Sequence, residues 1–124
     1  MHKSILIAGR DDDALAGLAN LLDEMGYDLT LAHTAADALS IAERQWPDVA
    51  ILDIGGPELD GLATARRLRD MAGERSLLLI ALTGWGQPQY REMALAAGID
   101  VHLIKPLAED QLSFILSMAC ERAD

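Results

Sequence analysis

The fold of this chain is decided by Leu77-Leu78-Leu79-Ile80-Ala81-Leu82, an apolar stretch with no polar interruption. A continuous apolar run of this length is typical of a strand that is buried on both faces of a sheet. The same pattern occurs earlier in the chain, at Lys3-Ser4-Ile5-Leu6-Ile7-Ala8 and at Val49-Ala50-Ile51-Leu52. We therefore expect a sheet that is covered by helices on both sides.

Segments with helical spacing of apolar residues separate these strands. After the first strand, leucines recur three and four residues apart, acids precede them, and Gly26 follows as a helix stop. Thr34 with Asp37 predicts a capped N-terminus for a second helix. Pro88 and Gly98 suit the beginning and the end of a fourth helix.

The whole chain reads as five strand–helix units. The predicted strands are 3–8, 28–32, 49–52, 77–82 and 101–104; the third helix covers Gly61 to about Met71, and the last covers Leu107 to about Glu121. The segment from Asp53 to Asp60, rich in Gly and Pro, is predicted to be a loop. The alternation predicts an α/β, doubly wound parallel sheet with five strands and five helices, in one domain over residues 1–124.

Composition and charge narrow the classes of function. The formal net charge is −10, which disfavours binding to nucleic acid or to an anionic membrane surface by this domain. Arg66, Arg67 and Arg69 cluster on the third helix, where we expect a solvated face. With aromatics at 4%, the core must be aliphatic. The single cysteine, Cys120, and the lack of a signal-like or membrane-spanning segment favour the cytoplasm.

Three polar residues follow predicted strands directly. Asp53 follows the third strand, Thr83 the fourth and Lys105 the fifth. The carboxyl ends of parallel strands share one edge of the sheet, which is where ligands bind in open α/β folds. Each residue alone has a structural explanation as a loop cap, a turn hydroxyl or an exposed charge. Their coincidence at one edge predicts a functional site.

Three motifs in this chain resemble the signature segments of response-regulator receiver domains. They are Leu52-Asp53-Ile54-Gly55-Gly56-Pro57-Glu58-Leu59-Asp60-Gly61, Ala81-Leu82-Thr83-Gly84-Trp85-Gly86-Gln87 and Ala96-Ala97-Gly98-Ile99-Asp100-Val101-His102-Leu103-Ile104-Lys105-Pro106. The residues of these motifs are most similar to those of receivers attached to hybrid histidine kinases, and the resemblance covers the whole chain. It implies the flavodoxin-like strand order 2-1-3-4-5.

The resemblance also implies roles for individual residues. Asp53 would accept a phosphoryl group from a histidine kinase or a phosphotransfer protein, and the hydroxyl of Thr83 would report its arrival. Lys105, before Pro106, would pair with the phosphoryl oxygens, because electrostatic stabilisation dominates such chemistry. His102 takes the position of the family's switch aromatic. A homodimer through the fourth helix, fifth strand and fifth helix is a family expectation.

The expected Mg²⁺ site departs from the family's pattern. The resemblance implies a site made by an acidic pair after the first strand, the acceptor Asp53 and the backbone carbonyl of Gly55. Counting back from the helix stop places Gly9 and Arg10 at the acidic pair. In one interpretation, Arg10 directs its guanidinium toward Asp53 and replaces the metal with a fixed charge. In the other, Asp11 reaches back to supply a carboxylate.

The first interpretation is preferred, because acids at a helix N-terminus need no metal to explain them and Mg²⁺ demands near-ideal octahedral geometry. We therefore expect Mg²⁺ to bind weakly or not at all. Gly9, Arg10 and Asp11 are the residues on which this expectation depends.

The leading hypothesis is a phosphorelay receiver that switches a protein-binding surface. The alternative is a degenerate receiver that acts as a phosphorylation-independent interaction module, which the missing acidic pair favours. An enzyme with turnover is disfavoured, because three acids at Asp11, Asp12 and Asp13 would repel a phosphate-bearing cofactor. The predicted last helix leaves no room for an output domain, so we expect either a stand-alone receiver or one taken from a larger protein.

Overall fold

A computed structural model describes residues 3–9, 12–54, 60–83, 88–104, 111 and 113–116 of the chain. In these ranges strands and helices alternate, as the sequence predicts. The elements are β1 (Ser4–Ala8), α1 (Asp12–Glu24), β2 (Asp28–Ala32), α2 (Ala35–Arg44), β3 (Val49–Ile54), α3 (Asp60–Ala72), β4 (Leu78–Thr83), α4 (Pro88–Ala96) and β5 (Val101–Ile104). Residues 111 and 113–116 are helical too, in the region of the predicted fifth helix.

The five strands form one parallel sheet in the order β2-β1-β3-β4-β5. This confirms the doubly wound, flavodoxin-like order that the resemblance implies. The three continuous apolar runs of the sequence became β1, β3 and β4, which are the interior strands of the sheet. Because an interior strand of such a sheet is covered on both faces, it needs apolar residues at successive positions rather than at alternate ones.

The carboxyl ends of β3 and β4 extend further than the sequence predicts. The expected loop from Asp53 to Asp60 is wrong at its beginning, because β3 continues through Asp53 to Ile54. Asp53 pairs with Leu82, and Ile54 pairs with Thr83, which is the last residue of β4 rather than the first residue after it. The hydrogen bonds between two parallel strands are made by the main chain, so the strands can continue past the last apolar residue of the sequence pattern.

The two faces of the sheet carry different cores. On the face covered by α2, α3 and α4, the buried residues are mostly alanines, with leucines from the strands and from α3. On the face covered by α1, they are branched aliphatic residues such as Ile7, Ile51 and Leu22, and Leu116 joins them. Among the residues that the structure describes, the buried hydrophobic ones are all aliphatic, as the sequence predicts. No helix within the described ranges is long and apolar enough to cross a bilayer.

Helix ends follow the local signals in the sequence. The side chain of Thr34 accepts a hydrogen bond from the amide of Asp37 at 3.0 Å, so the predicted cap of α2 is confirmed. Gly26 and Gly98 follow α1 and α4 with φ of +92° and +98°, in the left-handed region that glycine adopts without strain. The sequence bounds of α3 differ from the observed ones by one residue at each end.

Candidate functional site

Asp53 lies near the carboxyl end of β3, the middle strand of the sheet. It pairs with Leu82 of β4, and its side chain is half-buried with the oxygen Oδ1 fully shielded from solvent. One oxygen of the carboxylate is therefore buried, while the residue as a whole is partly exposed to solvent. That arrangement suits a nucleophile that must meet a partner from outside.

Thr83 lies one register step beyond the partner of Asp53. It ends β4, pairs with Ile54 and is fully buried, at 0% exposure. Thr64 of α3 is the other polar residue among the buried ones of the described chain. The carboxyl ends of β3 and β4 thus carry a half-buried carboxylate and, one register step further on the neighbouring strand, a buried hydroxyl.

Gly9 follows β1 at the same edge. Its amide donates to the carbonyl of Ala32 at 3.0 Å, which continues the ladder between β1 and β2. Ala8 pairs with Leu52 of β3, so Gly9 is the residue of the first strand's end that comes level with Asp53. The residue that comes level with Asp53 at the end of the first strand therefore carries no side chain.

His102 lies on β5 under α4. It pairs with Ala81, while Ile104 pairs with Thr83, so His102 and Thr83 share one face of the sheet by strand alternation. The ring is half-buried, and its Nε2 atom is shielded from solvent. Desolvation by burial, together with the nearby charge of Arg91 on α4, lowers the pKa of His102 below its ordinary value of 6.5. Both effects favour the neutral form of the imidazole.

Several predicted site residues lie outside the described residues. They are Arg10, Asp11, Gly55 and Lys105. The structure thus brings together Asp53, Thr83 and Gly9 at one edge and places His102 beneath α4. The roles of the other four rest on the sequence.

Of the residues expected at the Mg²⁺ site, the structure describes Asp53 and Gly9. Within them, no group of three or more His, Cys, Asp or Glu side chains is arranged to hold a metal ion. At the strand ends that face each other, Asp53 offers a carboxylate and Gly9 offers none. Mg²⁺ prefers several oxygen ligands in octahedral geometry, and the residue type at this position cannot supply one through a side chain.

Sequence reasoning missed a second polar cluster, at the edge of the sheet where the strands begin. Arg66 and Arg67 are exposed as expected, but the expectation is wrong for Arg69, which is half-buried. Its guanidinium donates to the carbonyls of Gly98 and Leu77 and forms an ion pair with Asp100. Local patterns could not reveal this, because the partners in the α4–β5 turn are about thirty positions away in the chain.

Comparisons with known proteins agree with the fold. The model of the response regulator receiver domain family matches residues 5–117. The chain is 34% identical over 112 residues to the response regulator MprA of Mycobacterium tuberculosis strain H37Rv, covering 90% of this chain and 48% of that protein. The chain thus spans about half the length of that relative.

Two further relatives match over most of their own length. One is an uncharacterized 14.6 kDa protein in the sodA1 3' region of Leptolyngbya boryana, 32% identical, with 94% of this chain and 88% of that protein covered. The other is the crystal structure of a response regulator receiver domain protein from Methanospirillum hungatei JF-1. It superposes with a TM-score of 0.86 at 26% identity, covering 99% of this chain and 98% of the other.

Proposed function

The chain belongs to the response regulator receiver domain family, and we propose from this premise that it receives a phosphoryl group on Asp53 from a histidine kinase or a phosphotransfer protein. The observation that carries the proposal is the placement of Asp53. Its carboxylate lies at the carboxyl edge of the central strand, half-buried, with the buried hydroxyl of Thr83 on the neighbouring strand.

The reaction would be a displacement at phosphorus. An oxygen of Asp53 attacks, the bond from phosphorus to the donor's atom breaks, and the donor leaves with the electron pair of that bond. Because charge is spread over the phosphoryl oxygens, stabilisation comes from nearby donors and cations. The hydroxyl of Thr83 and the ammonium of Lys105 are the groups that we assign to this role. The domain would act as a signalling module with no substrate to turn over.

Metal chemistry is the point at which this receiver would depart from its family. Gly9 supports weak or absent Mg²⁺ binding, since the position level with Asp53 carries no carboxylate. We assign the missing positive charge to Arg10, as a fixed guanidinium beside Asp53. The competing arrangement, in which Asp11 and the carbonyl of Gly55 complete a metal site with Asp53, predicts saturable Mg²⁺ binding instead.

The output would be a change in a protein-binding surface. Thr83 and His102 share the face of the sheet under α4, so a movement of the hydroxyl toward a phosphoryl group would alter the packing of the ring. Leu95 on α4 and Ile104 on β5 are exposed apolar residues of this region, at 53% and 48%. We assign to this surface the binding of a partner protein or of a second copy of the chain. Phosphorylation would act by shifting the populations of the conformations of this surface.

A degenerate receiver is the second candidate, and Gly9 is the observation that favours it. Without the acidic pair, the fold would serve as a protein-interaction module whose state does not depend on phosphorylation. In that case Asp53 would be a remnant of the family's chemistry, and its substitution would leave partner binding unchanged.

Chemical modification separates the two candidates. The protein is incubated with acetyl phosphate, and the intact mass is measured for the wild type, for Asp53→Asn and for Asp70→Asn, an exposed acid of α3 that serves as the matched control. We expect one added phosphoryl group in the wild type and in Asp70→Asn, and none in Asp53→Asn. Lack of modification in the wild type, with and without Mg²⁺, would support the degenerate receiver.

A further inference from the structure

Two aspartates make the same pair of hydrogen bonds at the edge of the sheet where the strands begin. Asp48 directly precedes β3; its amide donates to the carbonyl of Ser4 on β1 at 2.9 Å, and its Oδ2 accepts from the amide of Ser4 at 2.9 Å. Asp100 directly precedes β5; its amide donates to the carbonyl of Leu79 on β4 at 2.9 Å, and its Oδ2 accepts from the amide of Leu79 at 2.9 Å. Each aspartate thus bonds both main-chain groups of one residue on the neighbouring strand.

This pair of bonds fixes the level at which a strand begins. Along a parallel ladder, the amide and the carbonyl of one residue normally bond to two residues of the neighbouring strand, two positions apart. Asp100 satisfies both groups of Leu79 by itself, one through its main chain and one through its side chain. Because the aspartate side chain is short, both bonds form together at only one alignment of the two residues.

The strand β5 depends on such a contact more than β3 does. Within the described ranges, β3 has ladders to β1 and β4, whereas β5 is a four-residue edge strand that pairs with β4 alone. A slip of β5 by one residue would turn Leu103 out of the core, so the apolar pattern resists it. A slip by two residues keeps every side chain on its face. The pattern therefore leaves the register of β5 to a local contact.

Arg69 of α3 holds the carboxylate of Asp100 in place. Its Nη2 atom lies 2.6 Å from Oδ2 of Asp100, the same oxygen that accepts from Leu79. The guanidinium also donates to the carbonyl of Gly98 at 3.1 and 2.9 Å and to that of Leu77 at 3.2 Å. The turn that leads into β5 is thereby attached to α3 and to the beginning of β4.

The level at which β5 begins determines what it presents at the opposite edge. In the observed register, His102 pairs with Ala81 and Ile104 pairs with Thr83. A slip by two residues would move β5 by about 7 Å along β4, since a strand rises about 3.3 Å per residue. Lys105 directly follows Ile104 in the chain, so the end of β5 from which it continues would be displaced by the same amount.

We propose that Asp100 is a positioning residue, which sets the register of β5 on β4 and so places His102 and the end of the strand that leads to Lys105. The proposal deepens the proposed function and rests on it for the role of Lys105 in phosphoryl transfer. The register itself does not depend on that role. What matters is the place of one side-chain oxygen: asparagine keeps the oxygen without the charge, and glutamate keeps the charge but moves the oxygen by one carbon.

NMR on the full chain tests the register in Asp100→Ala, Asp100→Asn and Asp100→Glu, through cross-strand nuclear Overhauser contacts and amide hydrogen exchange. In Asp100→Ala the contacts between Ala81 and His102 should weaken. The amides of 101–104 should exchange about tenfold faster or more, beyond any change in β1 and β3, because β5 opens locally. Asp100→Asn should behave as the wild type, and Asp100→Glu should not. Unchanged contacts and exchange in Asp100→Ala, or rescue by glutamate and not by asparagine, would overturn the proposal.

Asp48→Ala is the matched control, because it removes the same kind of contact from an interior strand. It should accelerate exchange of the Ser4 amide and leave 101–104 unchanged. An equal acceleration at 101–104 in Asp48→Ala and Asp100→Ala would mean a general loss of stability rather than a loss of register, and the proposal would be wrong.

Beryllofluoride, which mimics a phosphoryl group on Asp53, measures the consequence for the site. Its binding is followed by the change in amide hydrogen exchange of α4. The half-saturating concentration should rise about tenfold in Asp100→Ala, as expected for a displaced cation, and stay near the wild-type value in Asp48→Ala and Asp100→Asn. Wild-type affinity in Asp100→Ala would overturn the positioning role. No binding by the wild type would count against the proposed function, while the cross-strand contacts would still decide the register.

Discussion

The two edges of the sheet differ in what their side chains do. At the edge where the strands begin, which we call the amino edge, side chains join helices and strands to one another, whereas the carboxyl edge presents Asp53 and Thr83. Asp48 shows how the amino edge works. Its carboxylate accepts from the amide of Ser4 at 2.9 Å, its amide donates to the carbonyl of Ser4 at 2.9 Å, and its carbonyl accepts from Leu78 at 3.1 Å. One residue thus joins β1, β3 and β4 where they begin.

Two more side-chain clusters occupy the amino edge. Arg69 and Asp100 join α3 to the α4–β5 turn. Trp46 donates from its indole nitrogen to the carbonyl of Ser76 at 3.1 Å, and the guanidinium of Arg75 lies 3.9 Å from the centre of its ring. Side-chain contacts between elements are found at the amino ends of the strands, and we propose that the chemistry takes place at their carboxyl ends. Variants at one edge should therefore change the free energy of unfolding, and variants at the other should change signalling.

The largest loss of stability should come from Gly98→Ala at the amino edge. The substitution forces a left-handed φ on an alanine and pushes its Cβ into Arg69, so we expect a loss of about 3 kcal/mol in the free energy of unfolding. Gly26→Ala is the control, because Gly26 has a similar φ but open space around it, and it should lose only about 1 kcal/mol. Urea unfolding measures both, and equal losses would contradict the role of the Arg69 contact.

Arg69→Met should lower the free energy of unfolding by about 2 kcal/mol, since it leaves the carbonyls of Gly98 and Leu77 without their donor. The ion pair itself should matter less. Its side chains are 32% and 43% exposed, so Asp100→Asn should lose less than about 1 kcal/mol. If Asp100→Asn is as damaging as Arg69→Met in urea unfolding, the charge rather than the main-chain bonds holds the turn.

Thr83→Val at the carboxyl edge should have a small effect on the free energy of unfolding and a large effect on the response to phosphorylation. Removal of a buried hydroxyl should lower the free energy of unfolding by only about 1 kcal/mol. Modification of Asp53 by acetyl phosphate should persist, while the change in α4 exchange on adding beryllofluoride should disappear. Thr83→Ser keeps the hydroxyl and should restore the response. A response that survives in Thr83→Val would remove Thr83 from the switch.

His102 should make a small, pH-dependent contribution. Because the pKa of His102 is lower in the folded protein than its ordinary value of 6.5, protons bind the unfolded chain better. Stability from the neutral ring is therefore present above pH 6.5 and is lost as the pH falls from 6.5 toward the folded pKa. The wild type should lose stability relative to His102→Phe over that window in urea unfolding. A parallel pH dependence of the two proteins would contradict the shift.

The fold could be predicted from the sequence because its signals are local. Three continuous apolar runs became the interior strands, and Thr34, Gly26 and Gly98 end or begin helices as their residue types require. Thr83 and Asp53 were found by their position at strand ends, although the strands include them. The Arg69 cluster could not be found, since α3 and the α4–β5 turn meet only after the sheet has formed.

We propose that Asp53 accepts a phosphoryl group although Gly9 and Arg10 replace the acidic pair. The most direct test follows acetyl phosphate modification by intact mass, with Mg²⁺ and with a chelator, in the wild type and in the double variant Gly9→Asp/Arg10→Asp. We predict modification of the wild type at Asp53 at a rate that Mg²⁺ does not change, and modification of the double variant that requires Mg²⁺. A wild type that is modified only with Mg²⁺, or is not modified under either condition, would contradict the account.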